Sequence, residues 1–318
     1  MGRRTALILA VGTAVFLAYA GLLTWILASR DLPPLGVMGF SLVATALPVE
    51  FAAKWLFGVQ FQDGVARMGK HLDGRSAFRA ALIGAGVARL LPAGGAVTPA
   101  AMSWSVRSQV RGTAGAAVRA TTLNYAGLLI GTGGFLLWIA YRERILPEAV
   151  GAAAGVGAVA LVVGGILMFG SSRLGTLVRM LPAGLRRRLE PAFEDHAADG
   201  RAQLLLWSRL ACEAAVLGLV ALAFGIPVTP AQVFAAFGMS QLAGGLPGTP
   251  GGLGFAEAGL VGTLLAFGVS TDESLAATLV YRMVSYWMPV AVGLVTGGMA
   301  FLGTRDADGV HNGPPAGG

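Results

Sequence analysis

The sequence predicts an all-α polytopic membrane protein, with about six full transmembrane helices and two broken, re-entrant helical hairpins in an inverted-topology repeat. Hydrophobic residues make up 55% of the 318 residues, and only 12% are charged, against about 25% in an ordinary soluble domain. The mean hydropathy is +0.70. So few charges could not cover a soluble fold of this size, so most of the surface must face lipid.

Six apolar runs are long enough to cross a bilayer as helices, which requires about 20 residues. They are 6–29, 35–57, 114–140, 148–170, 203–225 and 274–303. The first run follows two arginines and resembles a signal peptide, but it is too long and lacks a small-residue cleavage site. It is therefore predicted to be an uncleaved first helix.

Two further apolar stretches, 77–106 and 231–269, are interrupted near their middles by proline and glycine. Each half has about 12–16 residues, which is short for a crossing at about 1.5 Å per residue. Proline removes a backbone donor and glycine loosens the chain, so each stretch is predicted to turn back inside the membrane. The residues expected to form the breaks are Pro92, Gly94, Gly95, Pro247, Pro250, Gly251 and Gly252.

The arginines predict the orientation of the chain, because cytoplasmic loops are enriched in basic residues. Basic residues cluster at the N-terminus and in the loops 58–79 and 171–202, Arg305 follows the last span, and the linker 225–230 is uncharged. Both termini and the two basic loops are therefore expected in the cytoplasm of a bacterium, on the inner side of its cell membrane. Hairpin 77–106 would then enter from inside, and hairpin 231–269 from outside.

These opposed hairpins define a weak inverted repeat, with halves of roughly 35–140 and 203–303 in one transmembrane domain, 1–304. The polar, Pro/Gly-rich tail 305–318 is predicted to be disordered and cytoplasmic. Broken helices at matching positions of such a repeat typically line a transport site near the midplane. The sequence therefore predicts a transporter, and a packing role for the hairpins is the alternative.

Two pairs of charges inside the spans have helical i,i+4 spacing. Glu50 and Lys54 lie in one span, and Arg209 and Glu213 lie in another. A charge at the bilayer centre costs ~2.5–3.5 kcal/mol even on the lenient insertion scale, so each needs a partner or water. The pairs could be self-satisfied ion pairs or part of a site, and Lys54 could instead extend to the cytoplasmic interface.

Three further charges, Arg89, Glu257 and Arg282, have no partner nearby in sequence and must find one across the fold. A guanidinium in a wet cavity suits a phosphate or another anionic head group, because it can bind two oxygens at once. Arg282 and Glu257 are therefore predicted to act at the transport site. Two alternatives stay open: the two charges neutralise each other, or Glu257 caps a half-helix that begins near Phe255.

Enzymatic chemistry is not expected from this sequence. It shows no nucleophile–base pair and no His/Cys cluster with metal-ligand spacing, and its one approximate phosphate-loop motif lacks the required Ser/Thr at His71. No catalytic residue, metal or cofactor is therefore predicted. The net charge of +7 comes from basic loops between spans, so a nucleic-acid partner is not expected either.

The second hairpin and the following span carry a specific resemblance. Residues 246–260 (LPGTPGGLGFAEAGL), 267–269 (FGV) and 281–289 (YRMVSYWMP) resemble the lysylphosphatidylglycerol synthase transmembrane, flippase-like family, which includes the membrane half of the multiple peptide resistance factor. Glu257, Arg282 and Tyr286 fall within these motifs. The first hairpin departs from the family, because Gly94–Ser103 lacks the acidic residue that many relatives carry there.

The resemblance implies a protein that moves a lipid or a lipid-linked head group, anionic or polyprenyl-phosphate in type, between leaflets. Membrane lipid is then the expected partner, with an envelope-synthesis enzyme as a further one. No synthase domain follows the last span, so lipid aminoacylation is not expected. The alternatives are an ion-coupled transporter of a small anionic solute, with Glu257 or Glu213 as proton carrier, and a non-transporting scaffold. A cavity beside Arg282 is expected for either transporter and not for the scaffold.

Overall fold

A computed structural model describes residues 35–90, 94–142, 146–169, 179–184, 200–246 and 249–293, with the isolated positions 17, 21, 24, 25, 29, 186 and 295. The α-helices within these ranges are α1 (Val37–Arg67), α2 (Gly74–Leu90), α3 (Gly94–Ser105), α4 (Ala114–Arg142), α5 (Pro147–Phe169), α6 (Gly200–Ala223), α7 (Pro230–Gly244), α8 (Phe255–Ala266) and α9 (Thr271–Arg282). A 3₁₀ turn (Pro250–Gly252) precedes α8, and a π-turn (Met283–Trp287) follows α9.

The predicted all-α, polytopic fold is confirmed. Five helical segments are long and apolar enough to cross a membrane: α1, α4, α5, α6 and the segment Thr271–Gly293, which contains α9 and the π-turn. The predicted first span 6–29 and the tail 305–318 lie outside the described residues. The end of the last predicted span, beyond 293, lies largely outside them as well.

Helix α5 shows why these elements need lipid around them. Along α5, Val159, Val162 and Ile166 are 65%, 60% and 53% exposed. The helix packs on α4 through glycines, since a Cβ at Gly133 would lie 2.6 Å from the backbone of α5. A continuous exposed apolar face of this kind is stable only against an apolar solvent.

Both predicted hairpins form as pairs of short helices. In the first, α2 and α3 pack together, with the Cβ position of Gly84 2.6 Å from the Met102 side chain. In the second, the Ser240 hydroxyl on α7 donates a 3.0 Å hydrogen bond to the carbonyl of Ala256 on α8. The interrupted apolar stretches therefore predicted the right elements.

The two hairpins open at opposite ends of the molecule. The open end of the first lies by the loops 68–73 and 106–113, which are joined by a 2.6 Å hydrogen bond from Lys70 Nζ to the Arg111 carbonyl. At the second hairpin, the amide of Leu146 donates to the carbonyl of Ala266 (3.3 Å) at the far end of α4. Their closed ends meet, because the 3₁₀ turn packs on both α2 and α3.

The breaks differ from each other in length. Gly94 and Gly95 were expected inside the first break, but they are the first residues of α3, so this break is shorter than predicted. Pro92 and Pro247 lie outside the described residues. In the second break, Pro250, Gly251 and Gly252 interrupt the helices as predicted, and they do so as a 3₁₀ turn in which both glycines have positive φ (59° and 68°).

The prediction of a 58–79 loop was wrong. Helix α1 continues to Arg67, because Phe57, Phe61 and Val65 extend a buried apolar stripe at i,i+4 spacing. On the other side, Arg67 Nε forms a 2.9 Å ion pair with Asp63 Oδ2. The connection to α2 is therefore only 68–73.

The last span also differs from a plain helix. Asp272 and Glu273 were expected in a loop, but they form the first turn of α9, and Glu273 and Ser270 make a reciprocal capping box. The helix then widens into a π-turn, in which the Met288 amide donates to the Met283 carbonyl. Pro289, just beyond, cannot donate to the carbonyl four residues earlier, and a π-turn is a common accommodation of such a defect.

Candidate functional site

A cavity of about 160 Å³ lies where the hairpin tips meet α1, α4, α6 and α9. Residues from all these elements line it. Those with charged or polar side chains include Lys54, Arg89, Thr98, Asn124, Arg209, Glu213, Gln241, Arg282, Ser285 and Tyr286. The predicted position of a transport site, between the two broken hairpins, is thus a cavity whose wall contains many charged and polar side chains.

Lys54 joins the two predicted i,i+4 pairs into one network. Its Nζ lies 2.8 Å from Glu50 Oε1 on its own helix and 2.7 Å from Glu213 Oε1 on α6. Arg209 Nη2 approaches the same Glu213 oxygen at 3.0 Å, and Arg209 Nη1 donates to Asn124 Oδ1 on α4. The network therefore ties three transmembrane helices together across the cavity.

This network changes both expectations for the pairs. They are not two separate ion pairs, because Lys54 of the first pair also contacts Glu213 of the second. Lys54 does not extend to an interface, since it is buried with only 4% of its surface exposed. Glu50 is 1% exposed, and its Oε2 has no hydrogen-bond partner among the described residues.

Glu257 on α8 and Arg282 on α9 contact each other. This is the first of the two alternatives that the sequence left open for these charges. Arg282 Nε donates to Glu257 Oε1 at 2.7 Å, and the other carboxylate oxygen accepts from the Gly254 amide at 2.7 Å. Glu257 therefore caps α8 as well, so both alternatives hold for this residue. The contact with Glu257 does not satisfy all the donors of Arg282, because the buried Nη2 of Arg282 has no acceptor among the described residues.

Arg89 and Tyr286 form a reciprocal latch between the first hairpin and the π-turn. The Tyr286 hydroxyl donates to the Arg89 carbonyl at 2.6 Å, and Arg89 Nη1 donates to the Tyr286 carbonyl at 3.1 Å. The Tyr286 ring lies 5.2 Å from the Arg89 guanidinium carbon and 4.1 Å from that of Arg282. The turn of the second hairpin closes on this latch, since a Cβ at Gly251 would overlap the Tyr286 hydroxyl and the Arg89 carbonyl.

The cavity wall is cationic. Among the described residues, four cations line it, and Glu213 is the one carboxylate that does. Glu50 and Glu257 are not part of the lining, although they pair with Lys54 and Arg282. Two buried guanidinium nitrogens of lining residues, Arg282 Nη2 and Arg209 Nε, lack acceptors within the described part of the chain. A buried donor without an acceptor costs about 1–3 kcal/mol, which an added acceptor within hydrogen-bond distance would recover.

In a comparison with known proteins, residues 4–293 of the chain match the family model of the lysylphosphatidylglycerol synthase transmembrane region. The chain belongs to this family. Two relatives, each described as a "UPF0104 membrane protein" of Methanothermobacter thermautotrophicus, are 35% identical over 79 residues and 36% identical over 76 residues. These alignments cover 25% and 24% of this chain and 24% and 22% of the relatives. The chain thus matches about a quarter of their length.

Membership of the lysylphosphatidylglycerol synthase transmembrane family supports a lipid-related function in a membrane. Two of the three stretches that carried the resemblance, 246–260 and 281–289, supply the second hairpin's turn, Glu257, Arg282 and Tyr286. All three side chains lie at or beside the cavity. The first hairpin, which departs from the family pattern, supplies Arg89.

All seven predicted binding residues lie in or directly around this site: Glu50, Arg89, Arg209, Glu213, Glu257, Arg282 and Tyr286. Sequence reasoning did not assign Lys54, Asn124, Gln241 and Ser285 to it. Asn124 and Gln241 are polar residues within apolar helices, which was a usable signal. Lys54 had been paired only with its neighbour in sequence, because its second partner depends on how α1 packs on α6.

Proposed function

We propose that this protein moves lipids with an anionic head group between the leaflets of the membrane. The observation that carries the proposal is the cavity at the hairpin tips, where four cations face one lining carboxylate. A phosphate crossing the apolar core alone would meet a barrier of the size that excludes buried charges. Fixed cations in a cavity replace the water that the phosphate loses.

The positions of the free donors suggest how a head group is held. Arg282 and Arg209 each offer a buried N–H without an acceptor among the described residues, and guanidinium groups bind phosphate oxygens in pairs. Glu257 contacts Arg282 and Glu213 contacts Arg209 through nitrogens other than these free ones. Each guanidinium group therefore stays oriented when the cavity is empty. The acyl chains remain in the surrounding lipid.

The carboxylates that stay on these arginines also favour release of the head group. Each arginine has a resident carboxylate within 3.0 Å, so a departing phosphate leaves no cation unpaired. Binding therefore need not be tight, which suits a protein that must release its lipid on the other side.

The test is reconstitution of the full chain into liposomes of phosphatidylcholine with fluorescent phosphatidylglycerol, polyprenyl phosphate or phosphatidylcholine tracers. We expect the anionic tracers to exchange between leaflets faster than in protein-free vesicles, and faster than the zwitterionic tracer. No exchange of either anionic lipid above the protein-free rate would overturn the proposal. Uptake of a soluble anion such as glycerol phosphate without lipid exchange would instead establish the solute transporter.

A further inference from the structure

A second, apolar groove of about 590 Å³ lies against the same helices, α4, α6 and α7, that form much of the cavity wall. Its sides include Phe135, Trp138, Trp207 and Phe234, and we call it the aromatic groove. Phe135, Trp138 and Trp207 are 37%, 53% and 36% exposed. Gly131 and Gly134 of α4 also line it, so the helix presents backbone where side chains would otherwise stand.

The aromatic groove borders the charged cavity, because nearby residues of the same three helices line the two. On each of the three helices, a residue of the cavity wall and a residue of the groove wall are three positions apart, about 4.5 Å along the axis. These pairs are Leu128 and Gly131 on α4, Leu210 and Trp207 on α6, and Phe237 and Phe234 on α7. The Phe234 and Phe237 rings contact each other edge to face, with centroids 5.7 Å apart.

A cationic cavity that adjoins an apolar slot is complementary to the two halves of one amphiphile. We propose that the aromatic groove holds a hydrocarbon chain, acyl or isoprenyl, of the lipid whose head group enters the cavity. This inference rests on the proposed function and specifies its substrate as a lipid with a long chain. A soluble anion would leave the groove unused.

The groove acts by packing and position. A chain that moves from bilayer to groove leaves one apolar medium for another, so the water-excluding term is small. What remains is the packing of the chain against the rings, and each such contact contributes little by itself. We therefore expect effects of a few fold on long-chain lipids.

The test uses the full chain in nanodiscs with phosphatidylglycerol that carries a diazirine on one acyl chain, followed by peptide mapping of the crosslinks. Gly134→Phe fills the groove, since a Cβ there meets only the Leu161 side chain at 3.9 Å. Ala211→Phe, on the groove wall of α6, is a second filling variant. Gly155→Phe is the matched control, because it lies on α5 with no atom within 4 Å of its Cβ position.

We expect crosslinks on groove peptides to exceed those on the exposed face of α5 by a few fold, and both filling variants to abolish this excess while the control keeps it. Crosslinking spread evenly over the lipid-facing helices, or an excess that survives in every folded filling variant, would overturn the groove. Binding of water-soluble dihexanoyl phosphatidylglycerol should be unchanged in Gly134→Phe. Failure of the wild type to exchange lipids would count against the proposed function, whereas the crosslinking decides the groove separately.

Discussion

At the scale of single residues, Lys54 is the side chain on which the buried charges depend. It is the one cation within ion-pair distance of Glu50 among the described residues, and it also contacts Glu213. Glu213 would keep Arg209 if Lys54 were removed, but Glu50 would be left as an unpaired buried carboxylate. The structure therefore gives Lys54 a larger role than its i,i+4 spacing from Glu50 alone predicts.

Lys54→Met should lower the free energy of unfolding by roughly 3–5 kcal/mol, because breaking a buried pair leaves an uncompensated charge. The control is Arg67→Met, whose ion pair with Asp63 is partly exposed (27% and 16% of the side chains) and should cost at most about 1 kcal/mol. Denaturation in mixed detergent micelles measures both. The double variant Lys54→Met/Glu50→Leu should recover part of the loss, and equal effects for the two single variants would contradict the network.

The hydroxyl and the ring of Tyr286 have different contacts, and a substitution can separate them. Tyr286→Phe removes the hydroxyl that donates to the Arg89 carbonyl and should cost about 1 kcal/mol of stability, while lipid exchange persists because the ring still faces both guanidinium groups. Tyr141→Phe is the control, since Tyr141 is 85% exposed. Thermal unfolding and the exchange assay together test this, and a full loss of exchange in Tyr286→Phe would show that the hydroxyl itself handles the head group.

At the scale of elements, the turn of the second hairpin fits because two of its residues lack a side chain. Gly251 has φ 59°, and a Cβ there would overlap the latch of Arg89 and Tyr286. A Cβ at Gly252 would overlap the backbone of Gly244 at the end of α7. The hairpin tip is thus packed against the first hairpin and against its own arm without room for a methyl group.

Gly251→Ala should therefore destabilise the protein more than a positive φ alone explains. Gly69→Ala is the matched control, because Gly69 has φ 70° and no atom within 4 Å of its Cβ position. The control should cost about 1–2 kcal/mol from backbone conformation, and Gly251→Ala about 1–3 kcal/mol more from overpacking. Similar unfolding temperatures for the two variants would show that the tips do not meet as described.

The hairpins were predictable from the sequence because proline and glycine act locally on the backbone. The i,i+4 charge pairs were also visible, since their spacing is a property of one helix. The bridge from Lys54 to Glu213 was not, because it depends on the packing of α1 against α6. The π-turn after Arg282 was missed for a related reason: Pro289 signals a defect in the ladder of hydrogen bonds, but not where the helix absorbs it.

At the scale of the whole molecule, the two hairpins open at opposite ends and meet tip to tip. The arginine distribution predicts that the end with Lys70 and Arg111 faces the cytoplasm. The end where Leu146 contacts Ala266 would then face outside. This orientation stays a prediction of the sequence. It predicts from which face of the membrane each loop is accessible.

Single cysteines test it in a Cys212→Ser background, with a membrane-impermeant maleimide. Gln109→Cys, in the loop at the open end of the first hairpin, should react only when the cytoplasmic face is accessible. Glu148→Cys, in the first turn of α5, should react from the opposite face. Labelling of both positions from one face would contradict opposed hairpins, whatever the function of the protein.

The central claim is that the cationic cavity between the hairpin tips carries the anionic head group. Leaflet exchange of fluorescent phosphatidylglycerol should be compared for the wild type, Arg282→Gln and the exposed-charge control Arg67→Gln in liposomes of the same composition. Loss of one charge-assisted contact, about 1.5–3 kcal/mol, predicts that Arg282→Gln slows exchange by roughly ten- to a hundredfold while Arg67→Gln matches the wild type. Equal exchange rates in all three proteins would contradict the account.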